Sequence, residues 1–279
     1  MSVDKLAGRM LPAWRKRSAL GVIENRVPDL WVMAARPLIS SNWNLSKRFL
    51  QIRKHFAVIR QTRLPLVLEP NQYIDLFSFD LGEHSCRVML DQPSWLLRDG
   101  LLTISLWVDI DRIFSMSFCL SDRGGERVAY VGGIQGRRHA TSLDLNRALT
   151  KAAHGLRPRD LMFELFRLFC ETVGAKRILC VSNATRCNTT HMERGMPQAG
   201  APLLDYDEVW RDRGGVLGPD GFFQIPIARR MRSEAEIPAR KRGLYAKRYQ
   251  FIAQLQPAMT AALSSSLQVK THRTSVHAR

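Results

Sequence analysis

The alternation of hydrophobic and polar positions predicts a β-sheet in the first half of the chain. Three runs of β-branched and aromatic residues alternate with period two, which is typical of strands: residues 101–108, 113–120 and 128–131. The polar segments between these runs are short and predict tight turns. Because short connections join neighbouring antiparallel strands, we expect an antiparallel meander between about residues 66 and 134.

Two helices and a further strand are predicted after this meander. The first helix spans about residues 143–153, and the second begins at Pro158, which suits the first helical position, and ends before Gly174. Polar residues form one narrow stripe on the second helix, so we expect most of its surface to be buried against the sheet. The apolar run at residues 177–182 predicts a central strand that is parallel to one neighbour.

The remaining segments complete an α+β fold. The arginine-rich N-terminal segment predicts helices separated by prolines, and a loop-rich region precedes a late strand at residues 222–226 and a basic helix at about residues 238–263. We therefore predict a mixed, mostly antiparallel sheet flanked by helices. The expected units are a helical extension (1–65), an α+β domain (66–263) and a flexible basic tail (264–279).

The net charge narrows the classes of partner. The 279 residues include 42 Lys and Arg against 25 Asp and Glu, a formal charge of +17. Such an excess attracts nucleic acid, an anionic membrane surface or a phosphorylated ligand. The alternative is an arginine-rich soluble protein that has no anionic partner.

Hydropathy and cysteine usage predict a cytoplasmic protein. No stretch approaches the roughly 18 apolar residues of a spanning helix, and the N-terminus lacks the apolar core of a signal peptide. The five cysteines are scattered, and three lie inside apolar runs, as expected of reduced core thiols. Association with the surface of the inner membrane is compatible with this interpretation.

A glycine-rich strand end followed by an arginine-flanked helix start predicts an anion site. Glycines allow close approach of a ligand to the backbone, and a helix N-terminus offers unpaired amides to a phosphate. The alternative is a bulge and a helix cap that bind nothing. The candidate ligand-binding residues are Gly132, Gly133, Gln135, Gly136, Arg157 and Arg159.

The order of these motifs resembles the VirK/YbjX family of bacterial proteins. The matching blocks include Tyr-Val-Gly-Gly-Ile-Gln-Gly at 130–136, His-Gly-Leu-Arg-Pro-Arg-Asp-Leu at 154–161 and Phe-Phe-Gln-Ile-Pro at 222–226. The resemblance covers about residues 53–255. It implies a role in envelope integrity or virulence, but it implies no established reaction and identifies no catalytic residue.

The predicted architecture also resembles the GNAT-type acyltransferases. Antiparallel strands that end in a glycine segment, a helix that starts at a Gly/Arg turn and the strand at 178–182 follow in the same order. In those enzymes the helix N-terminus binds the pyrophosphate of acyl-CoA. This chain has an additional helix and lacks the usual Gln/Arg-x-x-Gly-x-Gly/Ala loop. The resemblance implies acyl-CoA as the cofactor.

His154 is the candidate acid or base for such a transfer, because an imidazole titrates near neutral pH. The alternative is a packing histidine in the turn between the helices. The amides of Gln135 and Asn183 either orient a substrate or satisfy buried backbone groups. Cys187 and His191 are four residues apart but lack a second pair of ligands, so we expect no metal site.

A basic cluster in the last helix suggests a second, non-enzymatic function. Its cations alternate with aromatic residues, which suits an anionic membrane surface or nucleic acid. The alternative is an amphipathic helix whose basic face is only solvated. No sequence motif for base-specific recognition is present, so sequence-specific nucleic-acid binding is not expected. The cluster consists of Arg240, Lys241, Arg242, Lys247 and Arg248.

Overall fold

The computed structural model describes residues 30–62, 64–65, 68–69, 72–136, 142–187 and 204–271. Its strands are β1 (Gln72–Leu81), β2 (His84–Asp91), β3 (Leu102–Val108), β4 (Asp111–Arg123), β5 (Glu126–Gly136), β6 (Arg177–Val181), β7 (Val216–Leu217), β8 (Phe222–Pro226) and β9 (Lys270–Thr271). They form one sheet in the order β7-β8-β6-β5-β4-β3-β2-β1-β9. Of the strands in the described residues, only β5 and β6 pair in parallel. The predicted mixed, mostly antiparallel sheet is confirmed.

The described helices flank this sheet. They are α1 (Leu30–Ala35), α2 (Leu45–Ile59), α3 (Ser142–Ala152), α4 (Pro158–Thr172), α5 (Tyr206–Arg211) and α6 (Arg242–Ser264). The short helix α5 lies in a region that the sequence predicts to be a loop. Helix α6 begins four residues later than predicted, because Pro238 precedes a separate 3-10 turn over Ala239–Lys241.

Strands β1 to β5 form the predicted meander. Two-residue turns join β1 to β2, β3 to β4 and β4 to β5, and Gly124 and Gly125 both have positive φ in the last of these. Positive φ at both turn positions matches the right-handed twist of the strands that a hairpin joins. Strands β4 and β5 extend beyond their predicted ends, because their polar terminal residues continue the ladder that the apolar positions begin.

Opposite faces of the sheet hold different elements. The ring of Phe118 in β4 contacts Phe166 and Phe169 of α4 at centroid distances of 5.0 and 5.2 Å. The next register pair, Cys119 and Tyr130, points to the other face of the sheet, because successive side chains of a strand alternate between faces. There the Tyr130 ring contacts the Trp43 ring at a centroid distance of 5.3 Å. Truncation of one of these buried phenylalanines to alanine is expected to cost about 3–5 kcal/mol. The predicted burial of α4 against the sheet is confirmed.

Helix α2, from the predicted N-terminal extension, is bonded to the edge of the β4 ladder. The side-chain amide of Gln51 donates to the carbonyl of Leu120 at 3.1 Å, and the Leu120 amide donates to Nδ1 of His55 at 3.0 Å. Burial lowers the pKa of His55 to about 3, so its ring is neutral and accepts this bond. Apolar residues of α2 belong to the same hydrophobic core as the sheet.

Near the C-terminus, Lys270 and Thr271 pair with the start of β1, so the first part of the predicted tail adds a short edge strand. Residues 1–29 of the predicted extension and residues 272–279 of the predicted tail lie outside the described residues. None of the described helices is long and apolar enough to cross a membrane.

Candidate functional site

Strand β5 contains a bulge at the first glycine of the glycine-rich segment. Ser117 pairs with Gly133 and Phe118 pairs with Val131, so Gly132 is the extra residue on β5. The Gly132 amide donates to the backbone carbonyl of Asp99 at 3.2 Å instead of to β4. A β-carbon at Gly132 would overlap that carbonyl. Glycine is therefore required here by the loop that packs on the strand.

The second glycine makes room for the side chain of the same aspartate. A β-carbon at Gly133 would lie 2.7 Å from Asp99 Oδ2, so the carboxyl group rests directly on the glycine. The side-chain amide of Gln135 donates to Oδ2 at 3.3 Å. Asp99 is only 8% exposed. The glycine pair that the sequence predicts to bind a ligand therefore holds a buried acid in place.

Burial of Asp99 changes its protonation. Desolvation raises its pKa to about 7, against the opposing effects of the Gln135 hydrogen bond and the charges of Arg186 and Arg98. Both protonation states of the carboxyl group are therefore populated near neutral pH. A carboxyl group with this property suits general acid–base chemistry.

The ladder between the parallel strands β5 and β6 ends where the bulge begins. Their ladder runs from the pair Val128–Arg177 to the pair Val131–Cys180 and stops there, whereas β5 continues to Gly136. Among the described strands, the second half of β5 therefore has no partner on this side.

A tyrosine occupies the gap between the two strands. The Tyr206 hydroxyl accepts from the Ile134 amide at 3.2 Å and donates to the Ile134 carbonyl at 3.3 Å. Burial, with the nearby charge of Asp99, raises the pKa of Tyr206 to about 12, so the phenol remains neutral. The space beside the second half of β5 is thus filled by this side chain.

Asn183 determines where Tyr206 lies. Its Oδ1 accepts from the Tyr206 amide at 3.0 Å, and its Nδ2 donates to Asp205, the N-cap of α5, at 2.6 Å. The guanidinium of Arg186 lies over the Tyr206 ring, 5.2 Å from its centroid. Of the two roles considered for Asn183, the contacts fit satisfaction of backbone groups.

Cys187 belongs to the same neighbourhood. Burial is the main reason that the pKa of its thiol rises to about 11, and the charge of Asp99 adds to the shift. The thiol is therefore protonated at neutral pH and is a poor nucleophile. His191, its considered metal partner, lies outside the described residues, and those residues contain no cluster of three or more potential metal ligands.

Comparison with known proteins identifies the family. The chain matches the family described as "Protein of unknown function (DUF535)" over residues 2–261. The chain belongs to the DUF535 family. The expected membership of the VirK/YbjX family is thereby confirmed.

The relatives are themselves uncharacterised. The DUF535 chain is 28% identical to the uncharacterised protein YbjX of Escherichia coli, over 86% of this chain and 74% of YbjX. It is 25% identical to an uncharacterised protein of Haemophilus influenzae over 63% of each chain. No solved structure matches it.

The predicted arginines of this DUF535 protein lie at the start of α4. Arg157 is the exposed N-cap residue, and Nε of Arg159 is 3.7 Å from the carboxylate of Asp160, which also pairs with Arg213. Within the described part of the chain, no hydrogen bond or ion pair joins either arginine to the glycine segment. Their binding of an anion stays a prediction.

Gly136, the last of the predicted glycines, lies at the end of β5 beside an aromatic ring. A β-carbon there would be 2.6 Å from Cε1 of Phe114. The glycine therefore allows the ring to lie against the backbone, and its use by a ligand also stays a prediction.

His154 lies in the turn between α3 and α4 and contacts the last helix. Its carbonyl accepts from Nε and Nη2 of Arg248, both at 3.1 Å, and its ring meets Phe251 edge-on at 6.3 Å. Its backbone has φ +53°, an uncommon conformation for a non-glycine residue. The described contacts are those of a turn residue, and its acid–base role stays a prediction.

The basic cluster divides into bonded and exposed cations. Arg248 is held by His154 and by the Tyr245 ring, and Nε of Arg242 donates to two backbone carbonyls. The exposed cations that remain for a partner are Arg240, Lys241 and Lys247.

Sequence reasoning missed Asp99 and Tyr206. Asp99 lies in a short polar stretch between strands, and Tyr206 lies in a segment that the sequence predicts to be a loop. The available signal was the glycine pair itself, because adjacent glycines within a strand indicate that another part of the chain packs closely on the backbone.

Proposed function

We propose that this DUF535 protein is a GNAT-like acyltransferase that acts on a component of the bacterial envelope, with its site where β5 and β6 separate. The observation that carries the proposal is the end of the parallel ladder at Val131 and Cys180, immediately before a buried acid. Once the Tyr206 hydroxyl is displaced from Ile134, the backbone groups of this strand edge can hold an extended, amide-containing chain such as the pantetheine of acyl-CoA.

Asp99 is the residue we propose to move the proton. Its carboxylate takes a proton from the hydroxyl or amine of the acceptor as that group attacks the thioester carbonyl. The bond between the acyl carbon and sulfur breaks, and the proton is returned to the departing thiolate, so the step is balanced. Asp99 replaces His154 as the preferred acid–base candidate, because Asp99 lies at the separation of the strands whereas the contacts of His154 are with α6.

Tyr206 would control entry to this site. The backbone groups of Ile134 that face the gap are held by its hydroxyl. An acyl donor that uses them must displace the hydroxyl, whereas a donor that binds only near Gly136 need not. Arg157, which is exposed, and Arg159, which is half-buried beside Asp160, would attract the phosphates of the donor.

Release of free CoA thiol from acetyl-CoA, lauroyl-CoA and palmitoyl-CoA tests the transfer, together with the melting temperature in the presence of each compound. We expect one donor class to stabilise the protein and to be consumed when bacterial envelope extract supplies the acceptor. A ligand at about 100 times its Kd adds roughly 2.7 kcal/mol of stability. Asp99→Asn should abolish turnover but not donor binding, and Asp144→Asn, at an exposed position on α3, is the matched control.

The double variant Arg157→Ala/Arg159→Ala tests the anion site separately. It should lose donor-induced stabilisation and keep the melting temperature of the free protein, because Asp160 retains Arg213 as a partner. If no acyl-CoA stabilises the parent protein and no thiol is released, the acyl-transfer proposal fails.

The second candidate function is binding to an anionic membrane surface through α6. The three exposed cations Arg240, Lys241 and Lys247 lie close in sequence to Leu244, an exposed apolar residue, which favours an interfacial helix. Sedimentation with vesicles of anionic and of zwitterionic lipids tests it. Binding should require anionic lipid, should decrease with salt, and should be lost in the triple variant to Gln.

A further inference from the structure

A cavity separate from the diverging strands lies between α2 and the sheet. Its volume is about 450 Å³, within the range of small-molecule sites. It is lined by the start of α2, by the end of β4, and by Tyr130, Asp220 and Phe222. All of its lining residues belong to the described part of the chain. Tyr130 precedes the bulge, so this cavity lies beside the paired half of β5 and not beside its free half.

Three aromatic rings form the apolar wall of this cavity. The centroid of the Tyr130 ring lies 5.3 Å from the Trp43 ring and 5.3 Å from the Phe222 ring. The centroids of the Trp43 and Phe222 rings are 5.7 Å apart. Residues from three distant parts of the sequence thus converge on one surface. A planar ring of a ligand packs well against such a wall, through both area burial and ring–ring geometry.

Charged groups at the mouth leave a positive excess. Arg123 is neutralised by Asp220 at 3.0 Å. Nζ of Lys47 lies 6.0 Å from the centroid of the Trp43 ring, and Nζ of Lys54 donates to the Asp122 carbonyl at 2.7 Å. Apart from the Arg123–Asp220 pair, the lining contains the ammonium groups of Lys47 and Lys54 and one carboxylate, that of Asp122. Lys47 lies close to the aromatic wall and both lysines line the same cavity, so one small molecule can reach both.

We propose that this cavity binds a small anion that carries a planar aromatic ring, with its ring on the aromatic wall and its phosphate or carboxylate near Lys47 and Lys54. The inference does not depend on acyl transfer, because it concerns another part of the sheet. A nucleoside monophosphate and an aromatic carboxylate are the two sources of this chemistry.

Isothermal titration of the full-length chain tests the proposal with four probes: AMP, indole-3-carboxylate, adenosine and inorganic phosphate. We expect AMP or indole-3-carboxylate to bind, and which of them binds identifies the anionic group. Adenosine lacks the charge and phosphate lacks the ring, so each should bind at least about tenfold more weakly.

The lysines are tested by Lys47→Gln/Lys54→Gln, which should weaken binding of the aromatic anion by about tenfold or more. The matched control, Lys151→Gln/Lys176→Gln, removes the same charge at two exposed positions outside this cavity and should leave binding unchanged. Circular dichroism confirms that both variants are folded. The proposal is overturned if neither aromatic anion binds at about 1 mM, if phosphate binds as tightly as AMP, or if the two double variants lose affinity equally.

Discussion

The carboxyl group of Asp99 rests on the α-carbon of Gly133, where a methyl group would lie 2.7 Å from Oδ2. The two residues are distant in sequence and come from a loop and from a strand. Their contact couples the glycine-rich motif to a buried acid beside the end of the β5–β6 ladder.

A double-mutant cycle measures the contact directly. Gly133→Ala should lower the free energy of unfolding by about 1–3 kcal/mol, the usual cost of overpacking. Asp99→Ala removes the atoms that the new methyl group meets first, so Gly133→Ala should cost less in that background. Gly132→Ala serves as the control, because it overlaps the backbone carbonyl of Asp99 and should not be rescued. Urea denaturation gives all the values; purely additive costs for Gly133→Ala and Asp99→Ala would contradict the contact.

The raised pKa of Asp99 predicts a pH dependence of stability. The carboxyl group holds its proton to about pH 7 in the folded state, but only to about pH 3.9 in the unfolded chain. The folded state therefore binds more protons between these values, and the stability contribution of Asp99 is lost as pH rises through this window, by at most about 1.4 kcal/mol per pH unit. The stability difference between the parent and Asp99→Asn isolates this term. A difference that does not change between about pH 4 and pH 7 would refute the raised pKa.

His55 acts in the opposite direction and explains why the difference between variants is needed. Its pKa is about 3 in the folded state, against about 6.5 in the unfolded chain. Stability from this residue is therefore present above about pH 6.5 and is lost as pH falls towards 3. Because His55 is the same in the parent and in Asp99→Asn, its contribution cancels.

Tyr206→Phe should separate the structural and the gating roles of the hydroxyl. Its loss leaves the Ile134 amide and carbonyl without their partner, which should cost about 1–3 kcal/mol of stability. Loss of the hydroxyl also leaves the Ile134 amide and carbonyl free for the donor. Acyl-CoA should therefore raise the melting temperature more in Tyr206→Phe than in the parent. Tyr245→Phe is the control, because that hydroxyl accepts from exposed Arg232. Equal shifts in parent and variant would mean that the donor does not use Ile134.

Two neighbouring cations of α6 should behave differently. Arg248→Gln removes two bonds to the His154 carbonyl and the contact with Tyr245, so we expect a loss of about 1–3 kcal/mol. Lys247→Gln, at an exposed position, should change stability by less than about 0.5 kcal/mol. Thermal unfolding measures both. Equal effects would show that the Arg248 contacts contribute little to the fold.

Local pattern was sufficient to predict much of this architecture. The period-two runs predicted β3 and β4, and Pro158 and Gly174 predicted the limits of α4 to within two residues. These features depend on neighbours along the chain, which is why they can be read from it. Strands β1 and β2 and the short helix α5 were not individually predicted. A half-buried strand and a two-turn helix show only a weak periodicity of hydrophobic positions in the sequence.

The site was decided by tertiary structure. The sequence by itself determined that a strand ends in glycines and that helix α4 starts beside arginines. It could not determine that Gly132 and Gly133 receive Asp99, or that Tyr206 fills the gap beside Ile134, since neither partner has a fixed spacing from the glycines. Those contacts follow from how the 92–101 loop packs on β5 and from where the β5–β6 ladder stops. Burial, which only the folded chain creates, is what raises the pKa of Asp99 into the range useful for proton transfer.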